Sequence, residues 1–262
     1  MKSVARAARM LLDKIGKRYD RLIGRPRWTD LVERYALDPA KRDEIAAGLP
    51  QGDVAKLFFD HKGRTIHKWT HYPEIYDRHF APYRKPDIKM LEIGIFKGGS
   101  LEMWREYFGP QATIFGIDID QACAGRVDAP NQARIGSQDD EEFLRKVVEE
   151  MGAPDIILDD GSHRGDHQWT SFKVLFPLLK PGGIYVIEDL HTAYWPGSHD
   201  GGYGAARTGI GLVKQIIDDM HGWYHREPTQ TPSQTWVSGV HAYDSVVVIE
   251  KNNRGQPGNI KT

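Results

Sequence analysis

The stretch LEIGIFKGGS, residues 91–100, runs from apolar and β-branched residues into three glycines within ten positions. Glycines there permit a tight turn and close backbone approach to a ligand, and a helix opening at about Gly98 offers unpaired N–H groups in its first turn. The same order of apolar run, turn signal and amphipathic segment recurs along the chain. DIKMLEIGI (87–95), ATIFGIDID (112–120), PDIILDD (154–160) and GGIYVIEDL (182–190) each read as a strand, and a further strand precedes GSQDDEEFL. Such alternation implies βαβ units and a parallel sheet, an α/β fold with helices on both faces. TWVSGVHAY and SVVVIEKN, separated by a short turn at Asp244, predict a C-terminal β-hairpin. In an open parallel sheet, ligands bind beyond the carboxyl ends of the strands. Six carboxylates stand at those ends: Glu92, Asp118, Asp159, Asp160, Glu188 and Asp189.

Composition limits what these residues can mean. A chain of 262 residues, 40% hydrophobic and 27% charged, can bury one large core. Its net charge of −1 gives no electrostatic case for nucleic acid as the main partner. The single Cys123 excludes an internal disulfide, and no run approaches the ~18 apolar residues of a membrane span, so the expected location is the cytoplasm. Nine Lys or Arg in the first 27 residues face only Asp13 and Asp20, and Met10, Leu11, Ile15, Tyr19, Leu22 and Ile23 recur at helical spacing. An amphipathic basic helix of this kind docks on an anionic membrane surface or acidic partner, or packs on its own domain or a second subunit. The expected organisation is a helical extension over 1–60, a main domain over 61–252 and a polar, disordered tail over 253–262, in a homo-oligomer.

The glycine turn does not carry a nicotinamide fingerprint, because G-x-G-x-x-G would need glycine where Phe96 stands. What remains, E-x-G-x-x-x-G-G-S, resembles motif I of the class I S-adenosylmethionine-dependent methyltransferases. That resemblance implies a Rossmann-like sheet and a cofactor site that includes Glu92, Gly94, Gly98 and Ser100. Asp118, twenty residues beyond Gly98, is placed to accept hydrogen bonds from ribose hydroxyls, or else to cap the following turn. Ser137, Gln138 and Asp139 fall where methyltransferases hold adenine, although Asp139 or Asp140 would serve equally as a helix N-cap. Asp159 is assigned to the cofactor side as well.

Asp160, Glu188 and Asp189 converge without an obvious set of basic partners. A hard divalent cation is the simplest way to neutralise them, and oxygen-only ligation favours Mg2+ over Zn2+; capping and ion pairing is the competing reading. The segment ILDDGSHRGDHQWTSFKVLFPLLKPGGIYVIEDLHTAYWP, with the upstream HKWTHYPEIYDRHFAPYR, resembles the metal-dependent sugar O-methyltransferases of the macrocin and mycinamicin type, which methylate deoxysugar hydroxyls of glycosides. The likeness spans about residues 57–250. It implies a sugar-containing acceptor, Asp160, Glu188 and Asp189 as magnesium ligands and His163 as general base. His167 is expected to share a helix face with His163, and His191 is a second candidate base. The glycine-rich segment 191–209, with Tyr194, Trp195 and Tyr203, reads as an acceptor loop or as a plain surface loop. A same-fold hydroxylase-like enzyme and a non-catalytic cofactor-binding homologue are the alternatives.

Overall fold

The computed structural model describes residues 34–195, 201–225 and 231–262. The basic stretch 1–27 and residues 196–200 of the glycine-rich segment lie outside them. Among the described residues, seven strands form one sheet: β1 Lys89–Ile93, β2 Thr113–Asp118, β3 Gln132–Ile135, β4 Ile156–Asp159, β5 Ile184–Ile187, β6 Val237–Ala242 and β7 Val247–Lys251. Their order is β3-β2-β1-β4-β5-β7-β6. The first five pair in parallel, whereas β7 runs antiparallel to β5 and to β6. This is the Rossmann-like class I methyltransferase arrangement, with the expected terminal hairpin.

The helices are α1 Arg42–Ala47, α2 Asp53–Asp60, α3 Tyr72–Phe80, α4 Gly99–Phe108, α5 Glu141–Met151, α6 Gly165–Leu175, α7 Gly209–Met220 and α8 Pro232–Trp236. Alternation along each strand divides the interior into two layers. Met90, Ile114, Leu158 and Val186 point to one face and pack with Tyr72, Tyr76, Phe80 and Trp104 of α3 and α4. Leu91, Ile117, Ile157 and Tyr185 point to the other and pack with Leu144, Phe172, Leu175 and Ile216 of α5, α6 and α7. Sheet strands buried on both faces explain why the strand segments read as nearly unbroken apolar runs. Below the sheet, Asp155 takes hydrogen bonds from Lys85 Nζ, Lys180 Nζ and Lys89 N at 2.8, 2.8 and 3.0 Å, which fixes the entry to β4.

β1 and β4 are neighbours, and the direction of winding reverses between them, so the loops after them open a crevice. Gly94, at φ 100°, passes so close to the β4 loop that a Cβ would lie 2.1 Å from the Asp160 carbonyl oxygen. Only glycine fits. The segment 252–262 follows β7 without regular structure. Among the described residues, no helix is long and apolar enough to cross a membrane.

Candidate active site

Four non-glycine residues among those described have positive φ: Phe96 at 50°, His163 at 55°, Asp189 at 53° and Ser245 at 66°. Each such residue costs on the order of 1–3 kcal/mol, and strain of this kind gathers at functional sites. All four border the crevice. Phe96 follows β1, His163 follows β4, Asp189 follows β5, and Ser245 lies in the β6–β7 turn that faces Asp189.

On one side of the crevice, Gly94, Asp118, Ser137 and Gln138 line a cavity of about 170 Å³ with Ser162 and His167. Asp118 holds the glycine turn itself: Oδ2 accepts from Ile95 N at 3.0 Å and Phe96 N at 3.1 Å, and Oδ1 accepts from Asp120 N at 2.9 Å. Burial works against its ionisation, but these N–H donors outweigh it and hold its carboxyl below the usual range. Gln138 accepts from Ser162 N at 2.7 Å and donates to Asp159 at 3.0 Å, so it ties β4 to the loop after β3. Asp140, not Asp139, caps α5, accepting from Glu142 N and Phe143 N. Asp139 is thereby left at the rim, bonded by Ser137 Oγ and 3.5 Å from His167 Nε2.

Several expected residues stand elsewhere. Glu92 and Ser100 are buried beneath the turn, where Ser100 Oγ donates to Glu92 Oε2 at 3.0 Å and Glu92 Oε1 is left without a partner. Burial, against the pull of Lys68, pushes the Glu92 carboxyl up to about 7. Gly98 caps α4 with φ 87° and backs onto the Arg126 carbonyl. Asp159 does not face the cavity. Its side chain points into the core, accepting from Ser171 Oγ at 2.6 Å, Tyr185 Oη at 3.1 Å and Gln138, because adjacent residues of a strand project to opposite faces.

On the other side, Asp160, Glu188 and Asp189 do converge, but the expectation that they lack a basic partner is corrected. Lys68 Nζ, with its side chain only 3% exposed, donates to Asp160 Oδ2 at 2.5 Å and to Glu188 Oε2 at 2.6 Å. Tyr76 Oη donates to the other oxygen of Glu188, and Tyr72 Oη donates to Asp189 Oδ1 at 2.6 Å. These two tyrosines lie four residues apart on α3 and therefore share a face. Burial opposes the Lys68 charge, yet Asp160, Glu188 and Glu92 more than compensate and raise its pKa. Burial and repulsion from Asp160 push the Glu188 carboxyl well up, and for Asp189 burial is overcome by His163 and Tyr72, which hold it down.

His163 precedes α6 rather than starting it, so the expected shared helix face with His167 does not form. Its Nε2 lies 3.6 Å from Asp189 Oδ2 and 4.0 Å from Asp160 Oδ1, while Nδ1 is buried with no hydrogen-bond partner. His167 Nδ1 instead meets Ser162 Oγ at 2.8 Å, towards the smaller cavity. His191 is tied through Nδ1 to Ser245 Oγ and packs between Trp69 and Trp195 at ring distances of 5.1 and 4.8 Å.

The donor set fits a divalent cation. One ammonium sits against the carboxylates of Asp160, Glu188 and Glu92, with Asp189 alongside, and Asp160, His163 and Asp189 offer ligand atoms within 4.8 Å of one another. Lys68 already occupies a cation position between two of the carboxylates. Replacing Lys68 by Met should leave buried acids uncompensated and cost about 3–5 kcal/mol. Thermal unfolding should show that loss, with Mg2+ raising the midpoint of the variant more than that of the parent; equal metal responses would contradict this account of the pocket.

Residues 91–190 match the model of a methyltransferase domain family. The chain contains a class I methyltransferase domain. It is 42% identical, over 231 residues and 80% of its length, to 8-demethyl-8-(2-methoxy-alpha-L-rhamnosyl)-tetracenomycin-C 3'-O-methyltransferase of Streptomyces olivaceus, and 38% identical, over 79% of its length, to mycinamicin VI 2''-O-methyltransferase of Micromonospora griseorubida. The chain spans 57% and 53% of those two relatives. Among solved structures, MycE methyltransferase in complex with Mg, SAH and mycinamycin VI is similar with a TM-score of 0.66 at 33% identity, covering 84% of this chain and 63% of that one. The methyltransferase domain is thus homologous to sugar O-methyltransferases. The matched interval takes in every strand end that carries the crevice carboxylates, whereas Lys68, Tyr72 and Tyr76 reach them from α3 and the segment before it.

In the methyltransferase domain, Asp118 organises the glycine turn while leaving part of its lone-pair capacity for a ligand. Asp118→Ala should weaken S-adenosylmethionine binding by ~1.5–3 kcal/mol, the range for losing a charged hydrogen-bond partner. Calorimetry on the folded variant checks this, and unchanged affinity would remove Asp118 from the site.

Proposed function

We propose that the chain is an S-adenosylmethionine-dependent O-methyltransferase that methylates a sugar hydroxyl of a glycosylated natural product with the help of Mg2+. The observation that carries this reading is the placement of His163 Nε2 beside Asp189 and Asp160, at a carboxylate cluster that shares its strand ends with a cavity of about 170 Å³. Relatives named for rhamnosyl, olivosyl and macrolide sugar methylation support the acceptor class. MycE structures bound to Mg and SAH support the cofactor and the metal.

When bound, S-adenosylmethionine supplies an electrophilic methyl group and Mg2+ supplies Lewis acidity towards neighbouring hydroxyls. Asp160, Glu188 and Asp189 would hold the metal, and Gly94, Asp118, Ser137 and Gln138 would border the nucleoside. A sugar hydroxyl is a poor acid, so a base must take its proton. His163 Nε2 receives that proton, and Asp189 at 3.6 Å stabilises the resulting imidazolium. Trp69, His191 and Trp195 form an aromatic shelf next to Asp189, suited to the apolar face of a sugar ring. A cavity of about 670 Å³, lined by Lys68, Trp69, Arg64 and Phe58 among others, gives the aglycone room.

One observation favours a second reading of His163. Its ligand atom lies with those of Asp160 and Asp189, so it can act as a metal ligand instead of a base. Metal titration separates the two roles: His163→Ala weakens Mg2+ binding if the ring is a ligand and leaves it unchanged if the ring is a base. Incubation with S-adenosylmethionine, Mg2+ and a panel of rhamnosylated and deoxysugar acceptors tests the function itself.

A further inference from the structure

Beyond the crevice, the described residues hold a second group of metal-ligating side chains: His79, His241 and Glu250, whose donor atoms all lie within 4.8 Å of one another. They come from three elements. His79 is in the last turn of α3, seven residues and about 10 Å along the helix past Tyr72. His241 is on β6 and Glu250 on β7, diagonal to each other across the antiparallel pair and on one face. The His79 and His241 rings stand 4.8 Å apart, and His241 Nε2 lies 2.9 Å from Glu250 Oε1.

Three features suit this group to a cation. Position 239, opposite Glu250, is glycine, and a Cβ there would lie 2.8 Å from Glu250 Oε2 and 3.5 Å from His241 Nε2, so its absence leaves space at the ligands. His241 and Glu250 are each 41% exposed, open enough for an ion to enter and for water to complete the coordination. Burial, and then His241, lower the pKa of His79. The surrounding groups are Tyr243, whose hydroxyl is 2.8 Å from His79 Nε2, and Arg78, which lies against Tyr243.

We propose that His79, His241 and Glu250 form a separate Zn2+ site that clips the β6–β7 hairpin to α3. Two imidazole nitrogens and one carboxylate make the three-ligand set of a tetrahedral Zn2+ whose fourth position is water, in contrast to the oxygen-only set that favours Mg2+ in the crevice. Zn–ligand bonds of ~2.0–2.2 Å need the donors drawn in by about an ångström, which rotation of the two half-exposed side chains supplies. The clip also bears on the crevice. The hairpin turn carries Ser245, whose Oγ lies 3.0 Å from Tyr72 Oη, and Tyr72 in turn donates to Asp189. Fastening the hairpin to α3 therefore steadies two elements that support the same carboxylate.

The test is calorimetric titration of Zn2+ into the full chain with Mg2+ in excess, repeated on His241→Ala and Glu250→Gln, with thermal unfolding alongside. The expected result is one equivalent bound with a raised unfolding midpoint, affinity at least about tenfold weaker in each variant, and unchanged S-adenosylmethionine binding in both. Absence of Zn2+ binding by the parent chain, or the same affinity in parent and variants, overturns the proposal. Because both substituted residues are on the surface of the hairpin, loss of folding is checked by the retained cofactor affinity.

Discussion

His163→Ala should lose roughly 10²- to 10⁴-fold in turnover, the usual contribution of a positioned general base. The reason lies in the geometry of the β4 loop. A left-handed residue at φ 55° turns the imidazole back over the crevice, so that Nε2 faces Asp189 and Asp160, and Nδ1 is buried without a partner. The cavity proposed for the cofactor is lined by other residues, so calorimetry should find S-adenosylmethionine affinity unchanged while single-turnover methyl transfer falls. If the variant turns over at nearly the parental rate, suspicion passes to His191. That ring is less well placed, since its Nδ1 is committed to Ser245 Oγ and its distance to Asp189 is 4.0 Å.

Removal of the metal should have an effect of similar size by a different route. Exhaustive chelation should abolish methyl transfer and Mg2+ should restore it, because the acceptor oxygen then loses both its orientation and the stabilisation of its developing charge. Asp160→Ala should imitate chelation in part. It removes one proposed metal ligand and also one of the two carboxylates that hold Lys68, so turnover should recover partially at high Mg2+. Cofactor binding, measured separately, should survive both treatments. Full activity in chelated protein would leave Asp160, Glu188 and Asp189 as the partners of Lys68 and Tyr72 and nothing more.

The sheet was legible because its central strands β1, β2, β4 and β5 are short apolar runs buried on both faces and followed by glycine or acid. The polar residues at strand ends were legible for the same reason: nothing in a packed core explains them. Asp159 went astray where the period of two was available but unused; neighbours on a strand face opposite ways, so Asp159 and Asp160 could not both look into the crevice. The pairing of His163 with His167 went astray because helix spacing was extended one turn too far back, across a residue that the structure puts in the left-handed region. Lys68 lies in the upstream segment that carries the family resemblance, but nothing local marks it as the partner of the acids. It lies twenty-one residues before β1, in an irregular segment, and only the packing of α3 against the strand ends carries it to Asp160 and Glu188. Tyr72 and Tyr76 did leave a trace, the i, i+4 spacing of two hydroxyls on one helix face, which gains meaning once that face is known to meet the acids.

The most direct measurement is mass spectrometry of the products formed from S-adenosylmethionine and a rhamnosylated or deoxysugar-bearing natural product, in parallel reactions with Mg2+ and with chelator. The account predicts one added methyl group, located on the sugar fragment, in the Mg2+ reaction alone. Methylation on the aglycone, or equal product in both reactions, would contradict it.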